Sequence, residues 1–89
     1  MSEDAMSEIE ELRAQIDVID NELVEKLNTR AELALKIRAL KAKSSLPLYD
    51  PGREEEIFQK ITAVNNGPLY DDDLRRIYDT LLQTMKSLD

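Results

Sequence analysis

The stretch Ser7–Lys43, SEIEELRAQIDVIDNELVEKLNTRAELALKIRALKAK, decides the fold of this chain. It continues for about ten helical turns without a proline or a glycine. Ile9, Leu12, Ile16, Ile19, Leu23, Leu27, Arg30, Ala34, Ile37 and Lys41 follow one another at steps of three or four. At about 100° per residue they share an arc of roughly 80°. All but Arg30 and Lys41 are apolar, so the spacing predicts one long amphipathic helix with a stripe to bury. The two exceptions are permanent cations. Burying an unpaired cation in an apolar contact is strongly unfavourable, so this pair calls for an anionic partner.

A helix of that length runs roughly 55 Å, whereas a compact chain of this size has a radius of gyration of about 12 Å. The rest of an 89-residue chain cannot cover the stripe. A dimer in which two long helices share their apolar stripes is therefore expected, with residues 1–89 forming a single domain.

Beyond the long helix, Ser44-Ser45 breaks the pattern and Pro47 disfavours helix at Leu46. Ser7 with Glu10 fits a capping box at the helix start, and Lys36, Arg38, Lys41 and Lys43 suit its negative end. Leu48-Tyr49 is a short apolar connector. Asp50-Pro51 marks the next start, with Asp50 as N-cap and Pro51 at the first helical position. The second helix is expected from about Pro51 to Val64, burying Ile57, Phe58, Ile61 and Val64. Asn65-Asn66-Gly67-Pro68 ends it, combining a left-handed cap with a residue that cannot continue the helix. The run Tyr70-Asp71-Asp72-Asp73 supplies the third N-cap. That helix is expected from about Asp72 to the end, with Leu74, Ile77, Tyr78, Leu81, Leu82, Met85 and Leu88 on one face. The expected fold class is all-α: three helices, the first very long, in a homodimer.

Composition narrows the function. A net charge of −7 and a pI near 4.6 argue against nucleic acid or an anionic membrane as partner. The chain has no cysteine and no histidine. Disulfides, thiolate metal sites and Ser-His or Cys-His nucleophile pairs are thereby excluded, and the commonest general base is missing. A cytoplasmic setting is expected, with no membrane span and no metal or cofactor.

Arg30 and Lys41 lie about 16 Å apart along the helix axis, so an extended ligand with two anionic ends suits them better than one small anion. The alternative is that both snorkel to water or pair with a carboxylate across the dimer. Arg13, at the edge of the stripe, would reach the partner's Arg30/Lys41 region in an antiparallel dimer. Taken alone it reads as a surface residue pairing with Glu10 or Asp17. Arg53 at a helix N-terminus opposes the dipole and needs an anion, which Asp50 or Glu56 would also provide. Glu54, Glu55 and Glu56 form by default a solvated acidic face.

Leu12-Arg13-x-x-Ile16-Asp17-x-Ile19-Asp20, Leu27-x-x-Arg30-x-x-Leu33-Ala34 and Ile37-x-x-x-Lys41 stand in that order, followed by Pro47-Leu48-Tyr49-Asp50-Pro51-x-Arg53-Glu54. Together they resemble the all-helical chorismate mutases over almost the whole chain. The Asn65-Asn66-Gly67-Pro68 turn is similar to members fused to other enzymes of the aromatic amino-acid (shikimate) pathway. The resemblance implies an intertwined homodimer that converts chorismate to prephenate without a cofactor. Carried over by position, Arg13 would come from the partner subunit and bind one substrate carboxylate together with Arg30. Arg53 and Lys41 would be further cationic contacts, Lys41 donating to the ether oxygen. Asp50 and Glu54 would surround the ring hydroxyl.

Two positions depart from the family pattern. Met85 stands where many members have a small hydroxyl residue, and Asp89 where they have glutamine or glutamate at the ether oxygen. Aspartate is shorter and donates a hydrogen bond only when protonated, so Lys41 is expected to carry most of that contact. Two other readings compete: an isochorismate-pyruvate lyase of the same fold, which Glu54 disfavours, and a non-catalytic dimerisation or effector-binding module.

Overall fold

The computed structural model describes residues 3–88. It contains α1 (Glu3–Lys43), α2 (Pro51–Ala63) and α3 (Asp71–Lys86), with no strand among the described residues. The all-α, three-helix expectation holds. The 41-residue α1 starts one turn before Ser7, with Glu3 and Asp4 in its first turn. Glu3, Ala5 and Met6 are good helix formers, and acids favour the positive end of the dipole. Ser7 therefore lies inside the helix, and the capping box expected with Glu10 is replaced by this earlier start.

The chain divides into two compact units, Met1–Leu33 and Ala34–Asp89. In the first, α1 carries its apolar positions without cover. Leu12, Ile16, Ile19, Leu23 and Leu27 are 42–57% exposed, and no residue of α1 is buried.

The second unit begins with the last turns of α1, which close in a left-handed cap. Ser45 takes φ +57°, its N–H donates to the Ala42 carbonyl at 3.4 Å, and the Leu46 N–H donates to the Lys41 carbonyl at 2.9 Å. These two bonds satisfy orphan carbonyls at the helix end and turn the chain back on itself. After the connector, Asp50 is extended and its Oδ1 accepts the Arg53 N–H at 3.0 Å, capping α2 as expected.

The α2–α3 turn is held by one asparagine. Its Nδ2 donates to the Leu69 carbonyl and to Asp71 Oδ1, both at 2.9 Å, while Asn65 Oδ1 accepts the Gly67 N–H at 3.1 Å. The left-handed residue is Gly67 (φ +71°), a conformation that costs glycine little. It lies beyond the Val64 C-cap, which is right-handed. At the start of α3, Asp73 Oδ2 accepts the N–H of the N-cap residue Tyr70 at 3.0 Å.

With α2 and α3 joined by this turn and packed on each other, Leu82 becomes the buried centre of a small core. Ile57, Phe58, Ile61, Leu74, Tyr78, Leu81, Met85 and Leu88 are half-buried around it. Arg75 lies over the Phe58 ring, 5.2 Å from its centroid. Two positions expected on these faces are open instead. Val64 has already left the last turn of α2 and is 75% exposed; Ile77, at the edge of the α3 face, is 51% exposed.

Candidate functional site

The residues with chemical potential in the second unit gather where the end of α1, the connector, the start of α2 and the end of α3 meet. Lys41 is half-buried, and its Nζ donates to the Leu48 carbonyl at 3.4 Å. The left-handed cap makes this contact available by folding the connector back toward the helix that carries Lys41. Asp50 uses one carboxylate oxygen as the α2 cap. Its neighbour Arg53 pairs with Glu56 at 2.5 Å, the helix-local partner the sequence allowed, and Glu56 also takes Lys60 at 3.1 Å. These hydrogen bonds, from Lys60 first and Arg53 second, hold the Glu56 carboxyl below its ordinary value.

Glu54 is not part of a solvated acidic face. Its side chain is 25% exposed, and Oε1 lies 2.5 Å from Lys86 Nζ. The ammonium also lies over the Tyr49 ring, 5.0 Å from the centroid. The hydrogen bond to Glu54 raises the Lys86 pKa above that of a free lysine. Beside this pair, Arg38 reaches from α1 to the end of α3. Nη2 donates to the carbonyls of Met85 (3.1 Å) and Lys86 (2.8 Å), and Nη1 donates to that of Leu88. A cation thus meets the negative end of a helix dipole and satisfies carbonyls that have no intrahelical partner.

In the first unit, Arg13 forms a 3.5 Å pair with Glu10, and its side chain is 70% exposed. Arg30 is half-buried and has no hydrogen bond or ion pair among the described residues. Asp89 lies outside the described residues. Met85 is half-buried, with its backbone carbonyl held by Arg38.

Sequence reasoning missed Lys86 and Arg38 as structural partners. Lys86 lies off the apolar face of α3 and gives no periodic signal. Arg38 was legible only as a dipole-favourable cation, although its place one turn from both Ala34 and Lys41 puts it near the edge of the stripe.

Chemically, cations beside the half-buried Glu54 carboxylate and the exposed Asp50 suit a ligand that bears both anionic groups and hydrogen-bonding hydroxyls. A separate open concavity at the α2–α3 turn is lined by Asn65, Leu69, Tyr70, Asp71 and Asp72. Its carboxylates have the wrong sign for such a ligand. Among the described residues, no cluster of three or more His, Cys, Asp or Glu side chains is placed to hold a metal ion.

Residues 12–89 match the model of the family described as chorismate mutase type II. The chain is 41% identical over 88 residues to a bifunctional chorismate mutase/prephenate dehydratase of Aquifex aeolicus, covering 94% of this chain and 24% of that protein. It thus spans about a quarter of the length of that relative. Two solved structures of similar length share the fold. A chorismate mutase (form I) from Thermus thermophilus superposes with a TM-score of 0.86 at 33% identity, covering 88% of this chain and 98% of the other. Chorismate mutase from Helicobacter pylori in complex with prephenate gives 0.80 at 34% identity, covering 93% and 99%.

Proposed function

The chain belongs to the type II chorismate mutase family, and on that footing we propose that it converts chorismate to prephenate. The rearrangement is intramolecular: the ether C–O bond breaks as a new C–C bond forms within one molecule. Neither a nucleophile nor a cofactor is required, which suits a chain without histidine or cysteine. The protein's part is to hold a flexible dianion in its bent reactive shape and to stabilise the charge that gathers on the ether oxygen.

Arg30, together with Arg13 of the partner subunit, holds one carboxylate. Arg53 exchanges its exposed Glu56 for substrate, while Lys41 donates to the ether oxygen. Asp50 and Glu54 receive the ring hydroxyl, and Asp89 assists at the ether oxygen when protonated. The whole chain, residues 1–89, works as one helical domain of a cytoplasmic homodimer. Supporting the dimer is the uncovered apolar stripe of α1. No helix among the described residues is long and apolar enough to cross a membrane.

The observation that carries this reading is Arg30, a half-buried cation on an apolar stripe with no protein partner among the described residues. The test is to follow the loss of chorismate absorbance with wild-type protein, Arg30→Ala and Lys41→Ala. Each variant is expected to lower kcat/KM by about a hundredfold or more while remaining helical. A folded wild-type protein that leaves chorismate untouched overturns the proposal. Salicylate and pyruvate formed from isochorismate would assign the lyase reaction instead.

A further inference from the structure

Glu54 sits on the first turn of α2 and Lys86 on the last turn of α3, so neither helix alone specifies their contact. The carboxylate is 25% exposed, against 52% for Glu56 in its own ion pairs. Lys86 is fixed from two directions, by Glu54 Oε1 at 2.5 Å and by the face of Tyr49 at 5.0 Å. A lysine free to swing through water would have little effect on a neighbouring carboxylate; one held between an acid and an aromatic face has a defined position.

We propose that Lys86 is a positioning residue acting through Glu54, and that the pair makes the site select a neutral ring hydroxyl over a cationic ring amine. This rests on the assignment of Glu54 to the substrate's ring hydroxyl made above. With one carboxylate oxygen held by the ammonium, the other is oriented to accept a hydrogen bond, which is all a hydroxyl requires. A protonated amine in the same place gains much less. Lys86 already balances the charge of Glu54, and the incoming ammonium meets a like charge beside it. Discrimination at this position therefore depends on the sign of residue 86, not on its size.

The experiment compares kcat/KM for chorismate and for the analogue whose ring hydroxyl is replaced by an amino group. Wild-type protein, Lys86→Arg, Lys86→Met and Lys86→Glu are used, with far-UV circular dichroism checking the helices of each. Lys86→Arg is expected to keep the wild-type preference for chorismate. Lys86→Met should narrow that preference roughly fivefold, the scale of an ion pair still open to solvent, and Lys86→Glu should narrow it further. The proposal is overturned if the preference is unchanged in folded Lys86→Met, or if Met and Glu have equal effects. A wild-type protein inert toward chorismate would instead overturn the activity on which it rests.

Discussion

Arg38 Nη2 donates to the carbonyl oxygen of Lys86 at 2.8 Å, fastening the last turn of α3 to the last turns of α1. The same guanidinium serves the Met85 and Leu88 carbonyls, so one side chain caps a whole helix end. Arg38→Ala is expected to lower stability by about 1–3 kcal/mol, measured by urea denaturation, because hydrogen bonds from a charged donor are lost together. Arg38→Lys should recover less than half, since an ammonium lacks the planar fork that reaches several carbonyls.

Asp50 has two separable duties. Its Oδ1 caps α2 through the Arg53 N–H, and its proposed second duty is toward substrate. Asp50→Ala should cost about 1 kcal/mol of stability, as loss of an N-cap does. Asp50→Asn keeps the capping oxygen and should keep stability while turnover falls. Denaturation and steady-state assays on the same two variants separate the duties.

Two ion-paired groups give opposite pH dependences. Folding holds the Glu56 carboxyl below its ordinary value of 4.5, through Lys60 first and then Arg53. Its stabilising contribution is complete above pH 4.5 and is lost as pH falls through the lowered value. Lys86 is raised above 10.5 by Glu54, so its contribution is complete below pH 10.5 and is lost as pH rises through the raised value. Denaturation midpoints measured across both limbs should show Glu56→Gln flattening the acid side and Lys86→Met the alkaline side.

Leu23 is 53% exposed on α1, so Leu23→Glu costs an isolated chain little. In a dimer that buries the stripe, the same change places an unpaired carboxylate in an apolar contact. Sedimentation is expected to show the wild-type protein at twice the mass of one chain and Leu23→Glu at the monomer mass, with reduced helicity. A wild-type monomer would contradict the dimer.

The expected site was legible unevenly. The Asp50 cap and the Arg53–Glu56 alternative could be read from neighbours in sequence, because a helix start brings residues three apart together whatever the tertiary fold. The ion pair of Glu54 could not. In sequence it is one of three consecutive glutamates, and its partner Lys86 is brought to it only by the α2–α3 turn. The same limit applied to Ser45. The break at Ser44-Ser45 was visible, but a serine in the left-handed region gives no local warning of the kind Gly67 does.

The sequence by itself determined the three helices and their faces, since helical periodicity, proline and capping residues act over a few positions. It also determined that a long apolar stripe carrying Arg30 lacks enough chain to cover it, which is a matter of length alone. Only the tertiary structure decided which charges are paired between helices. Lys86 and Arg38 act on groups more than thirty residues away, and such contacts depend on how helices pack, which no local pattern encodes.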